Sequence, residues 1–85
     1  MNEQSYVYPV YSIRDCVSGT YGQLMIESNV DTAKRNFRYG CRDGLMGFSR
    51  DDFALYRIGD FDVTNGEFSP CSVPVYVCRA SDFPE

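Results

Sequence analysis

A chain of 85 residues makes one domain, and at that size only about 60–65% of the unfolded surface leaves water, so a single small core of modest stability is expected. Apolar residues at 44% and aromatics at 15% exclude a disordered chain, which lacks the groups that offset conformational entropy. Eight basic against twelve acidic side chains, a net charge of −4, exclude a protein that coats nucleic acid by bulk charge, so any polyanion site has to be a local patch.

Residues 1–85 read as one unit without repeats or linker, and residues 1–5 read as a flexible start. That start has neither a basic run nor an apolar stretch of signal-peptide length, and nowhere do roughly 18 consecutive apolar residues occur. A soluble cytoplasmic protein away from membranes is expected. The first extended segment covers residues 6–14. Pro9 has no N–H to give to a ladder, which predicts either an edge position or a strand that begins at Val10. Residues 15–22 read as a loop, with Gly19 and Gly22 allowing reversal, and a second strand follows at 23–27.

From Ser28 the apolar period changes from strand-like to helical. Ser28 is the expected N-cap, with Asp31 three residues on, where a carboxylate can return the bond and meet the helix dipole. Val30, Ala33, Phe37 and Cys41 fall on one stripe about 80° wide. Gly40 and Gly44 weaken the end, so the helix should stop between Gly40 and Asp43. A loop rich in glycine and charge over 42–52 leads to the strongest strand signal, residues 52–62, and Asn65-Gly66 beyond it predicts a type I′ hairpin. A last extended stretch, 67–79, is interrupted by Pro70 and Pro74. The order β-β-α-β-β predicts a small α+β domain, one amphipathic helix packed on a mostly antiparallel sheet of about four strands.

The helix carries the main charge pattern. Lys34, Arg35, Arg38 and Arg42 fall at roughly 0°, 100°, 40° and 80° on the helical wheel, beside the apolar stripe. Two readings of this arc stay open: a solvated face whose cations suit the negative end of the helix dipole, and an anion-binding face. If all four contacted phosphates of a single strand, the salt slope would be near −3, roughly 0.7 per phosphate. Seven tyrosines and six phenylalanines supply stacking groups, each stacked base contributing about 1–3 kcal/mol. Tyr8, Tyr21, Tyr39 and Tyr56 lie nearest an arginine or a glycine loop. The same rings are also what fills the core of a domain with no Trp and little Leu. Tyr39 joins the four cations as the candidate nucleic-acid-binding set.

Catalysis finds little to stand on. Histidine is absent; the pairs Asp51-Asp52 or Asp60 and Asp62 could supply acids, but the latter two alternate across a strand end beside a turn, where aspartate serves turn chemistry. With no phosphate-binding loop, the expectation is no enzyme, no catalytic residue and no cofactor. Cys16, Cys41, Cys71 and Cys78 form no C-x-x-C pair. They are expected to be reduced small hydrophobes, the alternative being a disulfide or a four-thiolate site.

Val10-Tyr11-Ser12-Ile13-Arg14-Asp15, the Gly19-Thr20-Tyr21 loop, the helix with Ala33 and Phe37, and the run from Asp52 through Leu55 and Gly59 to Asp62 form an ordered series. In order and spacing this series resembles the small nonstructural protein of gokushovirus-type microviruses, phages with circular single-stranded DNA genomes. The similarity covers about residues 11–77. It implies a phage-encoded protein made in the bacterial host cytoplasm, described in that family as DNA-binding and linked to genome replication or to the switch to packaging. The resemblance brings no binding residues with it, so the basic helix face and the tyrosines stand on the residues alone.

Two functions from different classes follow. In the first, Lys34, Arg35, Arg38 and Arg42, aided by Tyr39, hold phosphates of single-stranded DNA. In the second, the protein is an adapter whose edge strand or acidic turn surface docks on the phage replication initiator or the capsid precursor, with strand addition as the mode. Pro9, Pro70 and Pro74 have a purely structural reading beside this one, guarding the sheet edges against indiscriminate pairing. A homodimer would enlarge the core by sharing a sheet edge or a helix face.

Overall fold

The computed structural model describes residues 6–83, so the expected flexible start at 1–5 lies outside the described residues. Strands β1 (Val7–Asp15), β2 (Thr20–Ile26), β3 (Phe53–Asp62) and β4 (Phe68–Arg79) form one antiparallel sheet in the order β2-β1-β3-β4. Between β2 and β3 lie helix α1 (Val30–Gly40) and the short helix α2 (Gly44–Phe48), and 3-10 turns occupy Arg50–Asp52 and Ala80–Asp82. The fold is α+β with the helix packed on one sheet face, as the sequence predicts.

Alternation along the strands decides which side chains meet the helix. Tyr11 of β1 pairs with Met25 of β2 and Arg57 of β3, while Ile13 pairs with Leu55 and Leu55 with Cys78. This face meets the predicted stripe of α1, and Tyr11, Ala33, Phe37, Cys41, Phe53 and Leu55 form the buried core together with Cys78 and Ala80. Helix and sheet differ in length. Eleven helical residues span about 16 Å, whereas twelve strand residues span about 40 Å, so α1 covers only part of its face.

Several local expectations are corrected. The N-cap of α1 is Asn29, not Ser28: Asn29 has extended backbone and its Oδ1 accepts from Thr32 N at 2.8 Å. The stretch 42–52 is not an open loop but holds α2 and a 3-10 turn. Asn65-Gly66 does not form a type I′ turn. That turn needs positive φ at both residues, yet Gly66 has φ 80° and no described residue other than glycine has positive φ. The reversal is longer, closed by Gly66 N to Asp62 O at 2.8 Å and Asp62 N to Glu67 O at 2.9 Å. Hydrogen bonds from the Thr64 hydroxyl and N–H hold the Asp62 carboxyl below the usual carboxylate range.

Pro9 lies in an inner strand, which removes it from the edge-guarding set. Its carbonyl accepts from Glu27 N at 3.1 Å on the β2 side, one step beyond the last ladder pair Val10–Ile26, so the N–H it lacks falls past the end of the β1–β2 ladder. Pro70 and Pro74 do lie in an edge strand, and they do not end it. Between the pairs Arg57–Val75 and Gly59–Pro70 the register jumps, and β4 carries residues 71–74 as an outward bulge. At Gly59 an added Cβ would sit 2.6 Å from Phe68 Cζ and 2.7 Å from Ser69 O, so only glycine lets β4 approach there.

Candidate nucleic-acid interface

The C-terminal end of α1 builds the basic site. Cys41 N closes the helix onto Phe37 O at 3.0 Å and Arg38 O at 3.1 Å, and Gly44, with φ 68°, starts α2 across this end. At Gly47 a Cβ would meet the Arg42 carbonyl carbon and oxygen at 3.0 Å each, so glycine permits the tight crossing. The result is a cleft of about 540 Å³ lined by Arg35, Arg38, Tyr39, Arg42 and Arg50.

Of the four predicted cations the structure brings three together. Arg35, Arg38 and Arg42 are exposed and line the cleft, whereas Lys34 is half-buried and lines a separate hollow with Arg57 and Asp60. Arg38 lies over the Phe83 ring and Arg42 over the Tyr39 ring, each 5.7 Å from the centroid. These contacts steady the side chains by the ring quadrupole while leaving guanidinium edges available to an anion. Among the described residues the single ion pair is Arg57–Asp60 at 2.6 Å, so none of the three cleft arginines has an acidic partner there. Hydrogen bonding to Asp60 raises the Arg57 pKa, against a smaller opposing effect of burial.

Arg50, not singled out from the sequence, has a different part. Its guanidinium donates to Cys41 O at 3.2 Å, to Ala80 O at 2.9 Å and to Phe83 O. It therefore clasps the end of α1 to the C-terminal segment and closes the floor of the cleft. Burial pushes the Cys41 thiol up, opposed by the nearby Arg50 charge. No periodic pattern marks Arg50 in advance; the spacing of Gly40, Gly44 and Gly47 is the one sequence sign of close approach there.

The tyrosines divide. Tyr39 is 72% exposed at the cleft, but Tyr8, Tyr21 and Tyr56 belong to the sheet and do not join it. Among the described residues no three or more His, Cys, Asp or Glu side chains cluster in a way that could hold a metal ion, and all four cysteines are free thiols. No described helix is long and apolar enough to cross a membrane.

A family model described as Phage ORF5 protein matches residues 8–83, from the start of β1 to the ring on which Arg38 stacks. The chain belongs to the phage ORF5 protein family. No curated protein and no solved structure matches it. Since the match runs from β1 through α1 to Phe83, this phage protein carries its arginine cleft inside the family's shared region.

Proposed function

We propose that this phage accessory protein binds single-stranded DNA through the cleft at the end of α1 and acts in genome replication or in the switch to packaging, in the manner of the gokushovirus-type nonstructural protein its sequence resembles. The observation that carries the reading is the gathering of Arg35, Arg38 and Arg42 around one cleft with no acidic partner among the described residues, in a chain of net charge −4. An acidic chain holds a polyanion only where cations are concentrated and unopposed. Arginine forks suit phosphate oxygens, and Tyr39 offers a ring beside Arg42 for a base. With Lys34 in another hollow, three phosphates rather than four are engaged, for a salt slope near −2 at roughly 0.7 per phosphate.

Fluorescence anisotropy of a labelled single-stranded oligonucleotide across a salt series tests this, comparing wild type with an Arg35/Arg38/Arg42→Glu variant whose fold is checked by circular dichroism. Salt-sensitive binding that vanishes in the folded variant is expected. Absence of wild-type binding at low salt overturns the reading.

A second reading, docking on the replication initiator or capsid precursor by strand addition, is favoured by one observation. β2 is an outer strand, and its residues Thr20–Ile26 include no proline, unlike the bulged outer strand β4. Pull-down of either phage protein that is lost on substituting proline at Gln23 is the result this reading expects.

A further inference from the structure

The sheet face turned away from α1 has a composition of its own. Register places Arg14 opposite Tyr21 and Ala54, Ser12 opposite Tyr56, Tyr56 opposite Tyr76, and Ala54 opposite Arg79. The rings form a continuous edge-to-face row: Tyr21 to Tyr56 at 5.5 Å and Tyr56 to Tyr76 at 5.7 Å between centroids. An arginine closes each end. The Arg14 guanidinium lies 5.6 Å over the Tyr21 ring, and Arg79, close to the Tyr76 side chain, donates to Asp51 O at 2.9 Å. Beneath the row the small residues Ser12 and Ala54 are fully buried although no helix covers them. The outer rings stay open, Tyr21 at 42% and Tyr76 at 49% exposure.

Two features say what this face would accept. The ladder pairs that define it carry Arg14 and Arg79 and no carboxylate, in a chain with twelve acids. Neither guanidinium forms an ion pair among the described residues, although the Asp51 charge lies near enough to Arg79 to favour its protonated form, and the buried Arg14 Nε has no hydrogen-bond partner there. Open rings next to guanidinium groups without an ion pair suit a ligand that alternates flat π-faces with anions, as a single-stranded nucleic acid does.

We propose that the Tyr21–Tyr56–Tyr76 row, flanked by Arg14 and Arg79, is a second surface for single-stranded nucleic acid that works by base stacking and is separate from the arginine cleft. It extends the DNA-binding reading to another face but does not depend on the cleft. Bases stack on Tyr21 and Tyr76, and the two guanidinium groups meet adjacent phosphates. The cleft binds chiefly backbone; this face needs bases.

The chain has no tryptophan, so emission comes from its seven tyrosines, and a quench lost in Tyr21→Leu or Tyr76→Leu variants belongs to the row. The probes are an oligothymidylate of eight nucleotides and an abasic phosphodiester strand of equal length. Oligothymidylate should quench tyrosine emission and bind, and the abasic strand should bind more weakly. Tyr21→Leu and Tyr76→Leu should each weaken oligothymidylate binding by roughly 5- to 150-fold with the salt slope unchanged, while Tyr21→Phe keeps binding because stacking needs the ring and not the hydroxyl. Urea midpoints within the wild-type range establish that the leucine variants are folded; if either is not, the abasic comparison is made on a Tyr39→Ala variant, in which the cleft has no ring for a base.

Equal binding of the two strands, or wild-type affinity in folded leucine variants, overturns the proposal. If binding is lost in the Arg35/Arg38/Arg42→Glu variant and kept in the leucine variants, the cleft stands and this face falls. The opposite pattern sustains this face and removes the cleft. Concentration-dependent self-association that Tyr21→Leu and Tyr76→Leu abolish, without any nucleic-acid binding, also overturns it and makes the face a contact between copies of the chain.

Discussion

The two faces of the sheet are made from the same four strands and obey different rules. The face under α1 is a packed interior: Tyr11 and Leu55 are essentially inaccessible, and Phe37, Ala33 and Cys41 of the helix close over them. The opposite face leaves its rings partly in water and places arginines at the ends of the row. Burial alone explains the first face, because its residues gain by leaving solvent. It does not explain the second, where the small floor residues are buried but the large rings above them are left open.

Truncation should separate the faces most strongly. Leu55→Ala or Phe37→Ala removes a fully packed side chain from the helix-covered face and should cost about 3–4 kcal/mol by chemical denaturation. Tyr76→Leu on the other face should cost less than about 1.5 kcal/mol, since half of the ring is already in water. Equal losses would erase the distinction.

The next two predictions concern what holds the faces in place. Gly59→Ala forces a Cβ against Phe68 and the Ser69 carbonyl and should destabilise by about 1–3 kcal/mol, with β4 amides exchanging faster than those of β1. Arg50→Ala leaves the Cys41, Ala80 and Phe83 carbonyls without their charged donor and should cost about 2 kcal/mol. Arg50→Lys should restore only part of that, because one ammonium cannot reproduce the planar fork.

The smallest expected effect is a pH dependence confined to the packed face. Burial pushes the Cys78 thiol up to about 11 and moves Cys41 and the Tyr11 hydroxyl in the same direction. An unfolded thiol titrates near about 8.5. A raised pKa means that the native state holds the proton more tightly, so this stabilisation is complete below about pH 8.5 and is lost as pH rises towards about 11. Denaturation midpoints should be flat from neutral pH to that point and then fall, and Cys78→Ala should flatten the fall. Thiol labelling sharpens the same contrast: exposed Cys16 should react in the native state, and buried Cys41 and Cys78 only on unfolding.

Local patterns carried much of this architecture. The stripe Val30, Ala33, Phe37 and Cys41 marks α1, and Ala33, Phe37 and Cys41 are the helix-end residues found in the core. The aromatic and branched run after Asp52 marks β3. Both signals are readable because their periods are local properties of the backbone. The cap was displaced by one residue because Ser28 and Asn29 are both competent, and only the observed extended backbone at Asn29 separates them. The candidate cations were legible as a helical arc, but Lys34 parted from the arginines because the sheet extends past the start of α1 and encloses it in another hollow.

What the sequence alone determined is the set of elements, their order and the face α1 turns to the core, because each follows from spacing within a few residues. The tertiary structure decided what those elements meet. In β3 strict alternation would group Leu55, Arg57, Gly59 and Phe61 on one face. Instead the register of β1 moves from Val10–Gly59 to Tyr11–Arg57, so Ile58 is an extra residue and Gly59 and Phe61 change sides to join Tyr56. A single bulged residue inverts the parity of everything beyond it. Two further shifts of the same kind, between Ser12 and Arg14 in the β1–β2 pairing and between Leu55 and Tyr56 in the β3–β4 pairing, turn Tyr21 and Tyr76 to the side of Tyr56, and with the strand order they are settled by long-range hydrogen bonds that no short window of sequence contains.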